Sequence, residues 1–297
     1  MFGNVSKKMV TLGLVATVAA GVMAGCGKAD NAQQGATGDT TKPAQSDDLS
    51  GKVTAAGSTA LMPLVKAAAE EFQAQHENVE VSVSGGGSGT GLKQVAEGSI
   101  DIGNSDVPAG TEYASAGLVD HVVAIAPFLL ITNKNVGIDN LTKEQAGKVL
   151  SGEVKNWKEV GGKDEAIKIV GRAEGSGSRK YIKSALIPEG KDFPKDAISQ
   201  DSSGSLRTAV EQTPGAIGYV DAAYANQNVK VLKLDGVEYT QENVAAKKYT
   251  LFSEEHMFTK GEPNKQVKAF LNYMMSDDFQ SKKVEEIKFM PVSKMKK

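Results

Sequence analysis

Three stretches of this 297-residue chain place glycine and hydroxyl residues where an apolar strand-like pattern gives way to a helical one. They are Ala56-Gly57-Ser58-Thr59-Ala60, Gly85 through Gly91, and Gly171 through Ser178. At such a junction the first N–H groups of the helix have no partner within it, and the helix dipole adds about half a positive charge. That combination attracts anions. Glycine lets the backbone approach closely, and the hydroxyls of Thr59, Ser88, Ser176 and Ser178 add donors without adding charge. A single serine or threonine before a helix is ordinarily an N-cap. Repetition of the design in one chain points instead to a donor shell for a tetrahedral oxyanion, with Ser58 in a supporting place.

Two charged residues refine that ligand. Arg172 can give paired hydrogen bonds to an oxyanion, and Glu174, two residues on, is placed by the sequence to hold the guanidinium. Asp106 follows Gly103-Asn104-Ser105, and a carboxylate beside an anion repels it unless the ligand carries a proton to donate. Phosphate has such a proton at neutral pH and sulfate has none, so Asp106 would accept from the first and stand as an unsatisfied buried acceptor before the second. Arsenate shares the shape and protonation of phosphate and stays open as a mimic. Sulfate and molybdate receptors are the neighbouring alternatives.

Alternating strand-like and helix-like segments must position these residues. Val53 to Ala56 reads as a strand, and Leu61, Leu64, Val65, Ala68, Ala69 and Phe72 recur at helical spacing. Val79, Val81 and Val83 alternate as a half-buried strand, a helix runs through Leu92, Val95 and Ala96, and Ile100 to Ser105 is a third strand. The run Val122 to Ile131 is apolar on both faces and broken by Pro127, which suits strands inside a sheet. A helix at Lys143 to Leu150, a strand at Ile167 to Val170 and a helix holding Tyr181, Ile182, Ala185 and Leu186 follow. Next come a helix at Leu206 to Val210, strands at Ile217 to Val220, Val229 to Leu234 and Tyr249 to Met257, and a closing helix through Val267, Phe270, Leu271 and Met274. This order marks an α/β fold with parallel pairing.

The N-terminal fifty residues read differently. Lys7 and Lys8 precede an apolar stretch from Met9 to Met23, the pattern of an export signal over residues 1–25. It ends in Met23-Ala24-Gly25-Cys26, which resembles the bacterial lipoprotein cleavage box and makes Cys26, the single cysteine, the expected site of lipidation by acyl chains such as palmitate. Residues 26–50 are poor in large apolar side chains and read as a flexible tether. The expected location is the extracytoplasmic face of the cell membrane, held by lipid.

Other classes find little support. Net charge is −2, so no polyanion-wrapping surface and no nucleic-acid partner is expected. The chain carries no G-x-S-x-G elbow and no phosphate-binding G-x-x-x-x-G-K-[ST] loop, and His76, His121 and His256 stand apart without metal-ligand spacing. No catalytic residue, no metal and no cofactor is expected. Trp157 is expected to pack in the interior rather than stack on a ligand, because a compact oxyanion offers no face. Met274, Met275, Lys294, Lys296 and Lys297 read as helix packing and a solvated tail.

The segments AAGSTALMP, SGGGSGTGLKQVAEGSIDIGNSD, VGRAEGSGSR and TPGAIGYVD resemble the substrate-binding proteins of high-affinity phosphate ABC importers, the PstS family, and the likeness runs from Gly51 to the C-terminus. The resemblance implies a two-lobed periplasmic-binding-protein-like fold of type II, with the ligand in the inter-lobe cleft and a two-strand hinge. Lobe I would comprise residues 51–124 and 246–297, and lobe II residues 125–245. It also implies phosphate binding by Thr59, the Ala60 amide, Ser88, Asp106, Arg172, Ser176, Gly177 and Ser178. The family often carries an aromatic residue where Ala60 stands, aspartate at Glu174 and threonine at Ser178. The implied protein is a monomeric, non-catalytic receptor for inorganic phosphate whose partners are the permease and ATPase subunits of the importer.

Overall fold

The computed structural model describes residues 49–295. The predicted export signal, Cys26 and all but Leu49 and Ser50 of the predicted tether lie outside the described residues, as do Lys296 and Lys297. Among the described residues no helix is long and apolar enough to cross a membrane.

Strand β1 (Gly51–Gly57) leads into helix α1 (Met62–Gln75), which a proline in its first turn starts and whose stripe of Leu64, Val65, Ala68, Ala69 and Phe72 is buried. Strand β2 (Val79–Gly86), helix α2 (Ser88–Glu97) and strand β3 (Ile102–Ser105) follow, and β2 and β3 pair in parallel with β1 on either side of it. Gly98, in the left-handed conformation, ends α2. Helix α2 lies almost on the backbone of its sheet: a Cβ on Gly91 would stand 2.6 Å from the Ala56 carbonyl and 2.8 Å from the Gly57 Cα. That closeness sets how far the start of α2 projects beside β3.

Strand β4 (Leu118–Thr132) is one continuous element, where the sequence suggested strands interrupted at Pro127. Proline is tolerated because its position marks a change of partner. Up to Pro127 the strand pairs antiparallel with β11 (Phe252–Lys260), and from Phe128 onward with β8 (Ala216–Asp221). The missing N–H therefore falls between two ladders, while the Pro127 carbonyl still accepts from the Ala222 N–H at 2.9 Å. Between these strands the chain forms β5 (Asn140–Leu141), α3 (Lys143–Leu150), β6 (Lys168–Arg172), α4 (Gly177–Leu186), β7 (Ile198–Gln200) and α5 (Ser203–Gln212). After β8 come the short β9 (Lys230–Val231) and β10 (Lys233–Leu234), in place of one strand, and helix α6 (Gln241–Ala245). Helices α7 (Lys265–Met274) and α8 (Val284–Glu286) follow β11.

The main sheet has the order β2-β1-β3-β11-β4-β8-β6-β7, with β9 added to β4, while β10 and β5 form a separate pair. One contiguous core passes through both halves, from Leu64 and Phe72 through Ile125 and Phe128 to Val170 and Leu206. Trp157 is fully buried in it and donates to the Gly215 carbonyl at 2.9 Å, as a packing residue should. Met274 is buried, Met275 is largely exposed, and Lys294 pairs with Glu285.

Because α2 has no room above β1 and β3, Gly91→Ala is expected to lower stability by about 1–3 kcal/mol, read as a drop in the urea midpoint with an unchanged slope.

Candidate functional site

The starts of α1, α2 and α4, which carry the three glycine- and hydroxyl-rich stretches, meet at the C-terminal ends of β1, β3 and β6. A fourth, α5, joins them from the end of β7. The side chains of Ser58, Thr59, Ser88, Asp106, Arg172, Ser176, Ser178 and Ser203 are all buried at this meeting point.

Asp106 follows the last residue of β3 and is 2 % exposed. Its Oδ2 accepts from Ser178 Oγ at 2.6 Å, its Oδ1 accepts from Ser58 Oγ, and its own N–H donates to Ser88 Oγ at 3.1 Å. Ser58 Oγ in turn accepts from the Ala60 and Leu61 N–H groups, each at 3.0 Å, so the Ala60 amide is tied into the same knot. Ser88 does not cap its helix, whose N-cap is Gly87, and its hydroxyl is free to serve Asp106. Ser176 is the N-cap of α4 and accepts from the Arg179 N–H. Gly177 is required by closeness alone: a Cβ there would lie 2.2 Å from Ser88 Oγ and 3.1 Å from the Asp106 Cβ.

Arg172 is 3 % exposed at the end of β6. Its guanidinium donates to Thr59 Oγ1 at 3.1 Å, to Ser203 Oγ at 3.2 Å and to the carbonyls of Gln200 and Asp201 at 3.2 and 3.0 Å. Glu174 is not among its partners, contrary to the sequence expectation. The turn between β6 and α4 directs that carboxylate into solvent, and backbone carbonyls of the β7–α5 connection hold the guanidinium instead. Burial pulls the Arg172 guanidinium below its ordinary range, with the charge of Asp106 opposing that shift.

Several of these bonds join residues far apart in the chain. Ser178 to Asp106, Arg172 to Thr59, the Ser203 N–H to Thr59 Oγ1 at 3.1 Å, Tyr224 Oη to the Thr59 carbonyl at 2.6 Å and the Gly89 N–H to the Gly175 carbonyl at 2.9 Å all tie the β1–β3 half to the β6–β8 half. A cleft bordered by Thr59, Met62 and Gly85 on one side and Arg172, Ser176 and Ser202 on the other opens over them.

Sequence reasoning missed Ser203 and Tyr224. The segment Gln200-Asp201-Ser202-Ser203-Gly204-Ser205 has the same strand, hydroxyl, helix design as the other three, and Ser202 caps α5 through the Ser205 N–H. Its strand is three residues long, exposed at Ile198 and Ser199, and without apolar alternation, so the pattern lacked its first half. Tyr224 carried no local signal.

The histidines stay separate. His256 bonds Asp120, His121 bonds Thr259, and His76 packs on Phe72. Among the described residues no group of His, Cys, Asp or Glu could hold a metal ion. Two further carboxyls lie close to the site. Asp221, at the end of β8, and Glu255, on β11, are fully buried, and burial together with the charge of Asp106 pushes both well above the ordinary carboxylate range.

A family model described as a PBP superfamily domain matches residues 33–278. The phosphate-binding protein PstS of Bacillus subtilis is 39% identical over 279 residues, which is 93% of this chain and 91% of that protein. The protein of the same name from Borreliella burgdorferi is 28% identical, over 81% of this chain and 90% of that one. Among solved structures, a Clostridium perfringens protein with bound phosphate superposes with a TM-score of 0.78 at 31% identity, covering 82% of this chain and 100% of that chain. An ABC-type phosphate transport receptor from Vibrio cholerae gives a TM-score of 0.66 at 26% identity, covering 80% of this chain and 99% of that chain.

Burial raises the Asp221 carboxyl in the native protein well above the ordinary value of 3.8 that holds in the unfolded chain. The folded state therefore binds more protons above that value, and stability falls as pH rises from there through the raised value. Asp221→Asn fixes the neutral form and is expected to flatten this decline in urea titrations taken across the acidic to alkaline range; an unaltered slope counts against a proton on Asp221.

Proposed function

Because this chain belongs to the PBP superfamily and, within it, to the PstS phosphate-binding proteins, we propose that it binds inorganic phosphate between its halves and delivers it to an ABC importer. It acts as a receptor and not as a catalyst. The observation that carries the reading is Asp106, a buried carboxylate among hydroxyls, with a buried arginine on the far side of the same cluster. Such a set suits an anion that brings its own proton: the phosphate O–H donates to Asp106, while its remaining oxygens accept from hydroxyls, helix-start amides and the guanidinium.

The direct ligands in this reading are Thr59, the Ala60 amide, Ser88, Asp106, Arg172, Ser176, the Gly177 amide and Ser178. Ser58 supports them, Ser203 takes the supporting place first given to Glu174, and no cofactor takes part. Residues 51–124 with 246–297 form one lobe and residues 125–245 the other. The division is supported by β4, which changes partner from β11 to β8 at Pro127 and Phe128. An oxyanion entering between Arg172 and Thr59, or between Ser178 and Asp106, takes over contacts that join the halves. Binding therefore favours the closed arrangement through differential contacts. Export, lipidation of Cys26, attachment to the outer face of the membrane, a monomeric state and docking to permease and ATPase subunits complete the proposal. They draw support from the sequence pattern around Cys26 and from the family.

Calorimetry on the whole chain is expected to give tight phosphate binding, with sulfate weaker by at least about a thousand-fold, because sulfate leaves Asp106 without a donor. Comparable affinities for the two anions overturn the selection by protonation. Arg172→Ala is expected to cost about 2–5 kcal/mol of phosphate affinity, since a buried anion loses its charged partner; an unchanged dissociation constant removes Arg172 from the site.

A further inference from the structure

Glu255 lies directly behind Asp106, and the binding scheme does not use it. It sits on β11, where Glu255 is opposite Ala124 of β4 and the next residue, His256, is opposite Ser105 of β3, the residue just before Asp106. The side chain is fully buried. One carboxyl oxygen accepts from Ser253 Oγ at 3.1 Å, and the other meets no hydrogen-bond donor among the described residues. Continuing the β11–β3 register past His256 and Ser105 sets Glu255 opposite Asp106, whose charge acts on it together with that of Asp221 on β8.

Among the described residues no cation pairs directly with this cluster. Arg172 is committed to Thr59, Ser203, Gln200 and Asp201 and acts on Asp106 and Asp221 from there. His256 turns to Asp120. Tyr224 faces Asp106 and Asp221 and Tyr239 faces Asp221, and burial pushes both phenols well up. Two carboxyls facing each other across neighbouring strands in a buried interior resist ionising together, which favours a proton on the pair. Hydrogen bonds decide which member holds it. Asp106 accepts a hydroxyl on each oxygen, whereas Glu255 accepts one and leaves an oxygen bare to carry the proton.

We propose that Glu255 is a positioning residue of the phosphate site: it stays protonated and donates its proton to the carboxylate of Asp106 from behind, fixing the orientation in which Asp106 meets the ligand. The inference rests on the phosphate reading for its ligand but not for the state of Glu255. The same proton prevents a second negative charge from standing beneath an anion. Burial and the charges of Asp106 and Asp221 push the Glu255 carboxyl upward, in the direction this role needs.

The test compares the whole chain with Glu255→Gln, which keeps shape and a donor, and Glu255→Leu, which keeps bulk alone. Infrared spectra at neutral pH are expected to show the carbonyl stretch of a protonated carboxylic acid that disappears in Glu255→Gln, while Asp221→Asn leaves that band in place. Calorimetry is expected to find Glu255→Gln within about three-fold of the parent for phosphate and Glu255→Leu weaker by about ten-fold or more. No loss of an acid band in Glu255→Gln overturns the proposal, and so does a Gln variant as weak as the Leu variant or a Leu variant as tight as the parent. Should Glu255→Leu not fold, the spectrum and affinity of Glu255→Gln decide alone. A parent chain that binds no phosphate sinks the functional reading instead, and the infrared comparison still decides the protonation of Glu255.

Discussion

A carboxylate and a guanidinium are buried in the same small volume without touching each other, and the structure around them exists to make that tolerable. Taking either charge out of water costs several kcal/mol unless hydrogen bonds replace the lost hydration. Asp106 receives hydroxyls from Ser58 and Ser178, and Arg172 is met by Thr59, Ser203 and two carbonyls. Those partners come from three helix starts, those of α1, α4 and α5, and no single segment of the chain could supply them. The sheet order, the close seat of α2 on β1 and β3, and the short β7 all follow as means of bringing those helix starts to one place.

The long strand β4 makes the arrangement two-sided. One end belongs to the ladder with β11 and the other to the ladder with β8, so a chain segment of 15 residues is shared by both halves. The hydrogen bonds that cross between the halves join polar side chains and backbone groups. The apolar core, by contrast, is continuous along the shared strand. A receptor of this family can exchange polar contacts across its cleft for contacts with a ligand while its core stays packed.

Carboxyls beneath the cleft add a second constraint. Asp106, Asp221 and Glu255 lie near one another in a region with a single arginine, and burial drives Asp221 and Glu255 toward their neutral forms. Under the proposed phosphate reading, that upward push limits the negative charge beneath the ligand, which leaves Asp106 as the acceptor that a protonated oxyanion can use and an unprotonated one cannot.

Much of this was written in the linear order of residues. Periodicity at Leu64 to Phe72 and at Val79 to Val83 and the glycine–hydroxyl junctions at Ser58, Ser88 and Ser176 are local patterns, and local backbone physics turns them into strands, helices and helix starts wherever they occur. Family motifs placed Asp106 and Arg172 in the site for the same reason. What folding alone decided was every matter of approach between distant segments: that Pro127 lies inside a strand because its missing donor falls where partners change, that Glu174 faces solvent while Gln200 and Asp201 hold Arg172, and that Ser203, Tyr224 and Glu255 come to the cleft at all. A side chain's partner across more than a hundred residues depends on how sheets twist and helices seat, and no spacing along the chain encodes that distance.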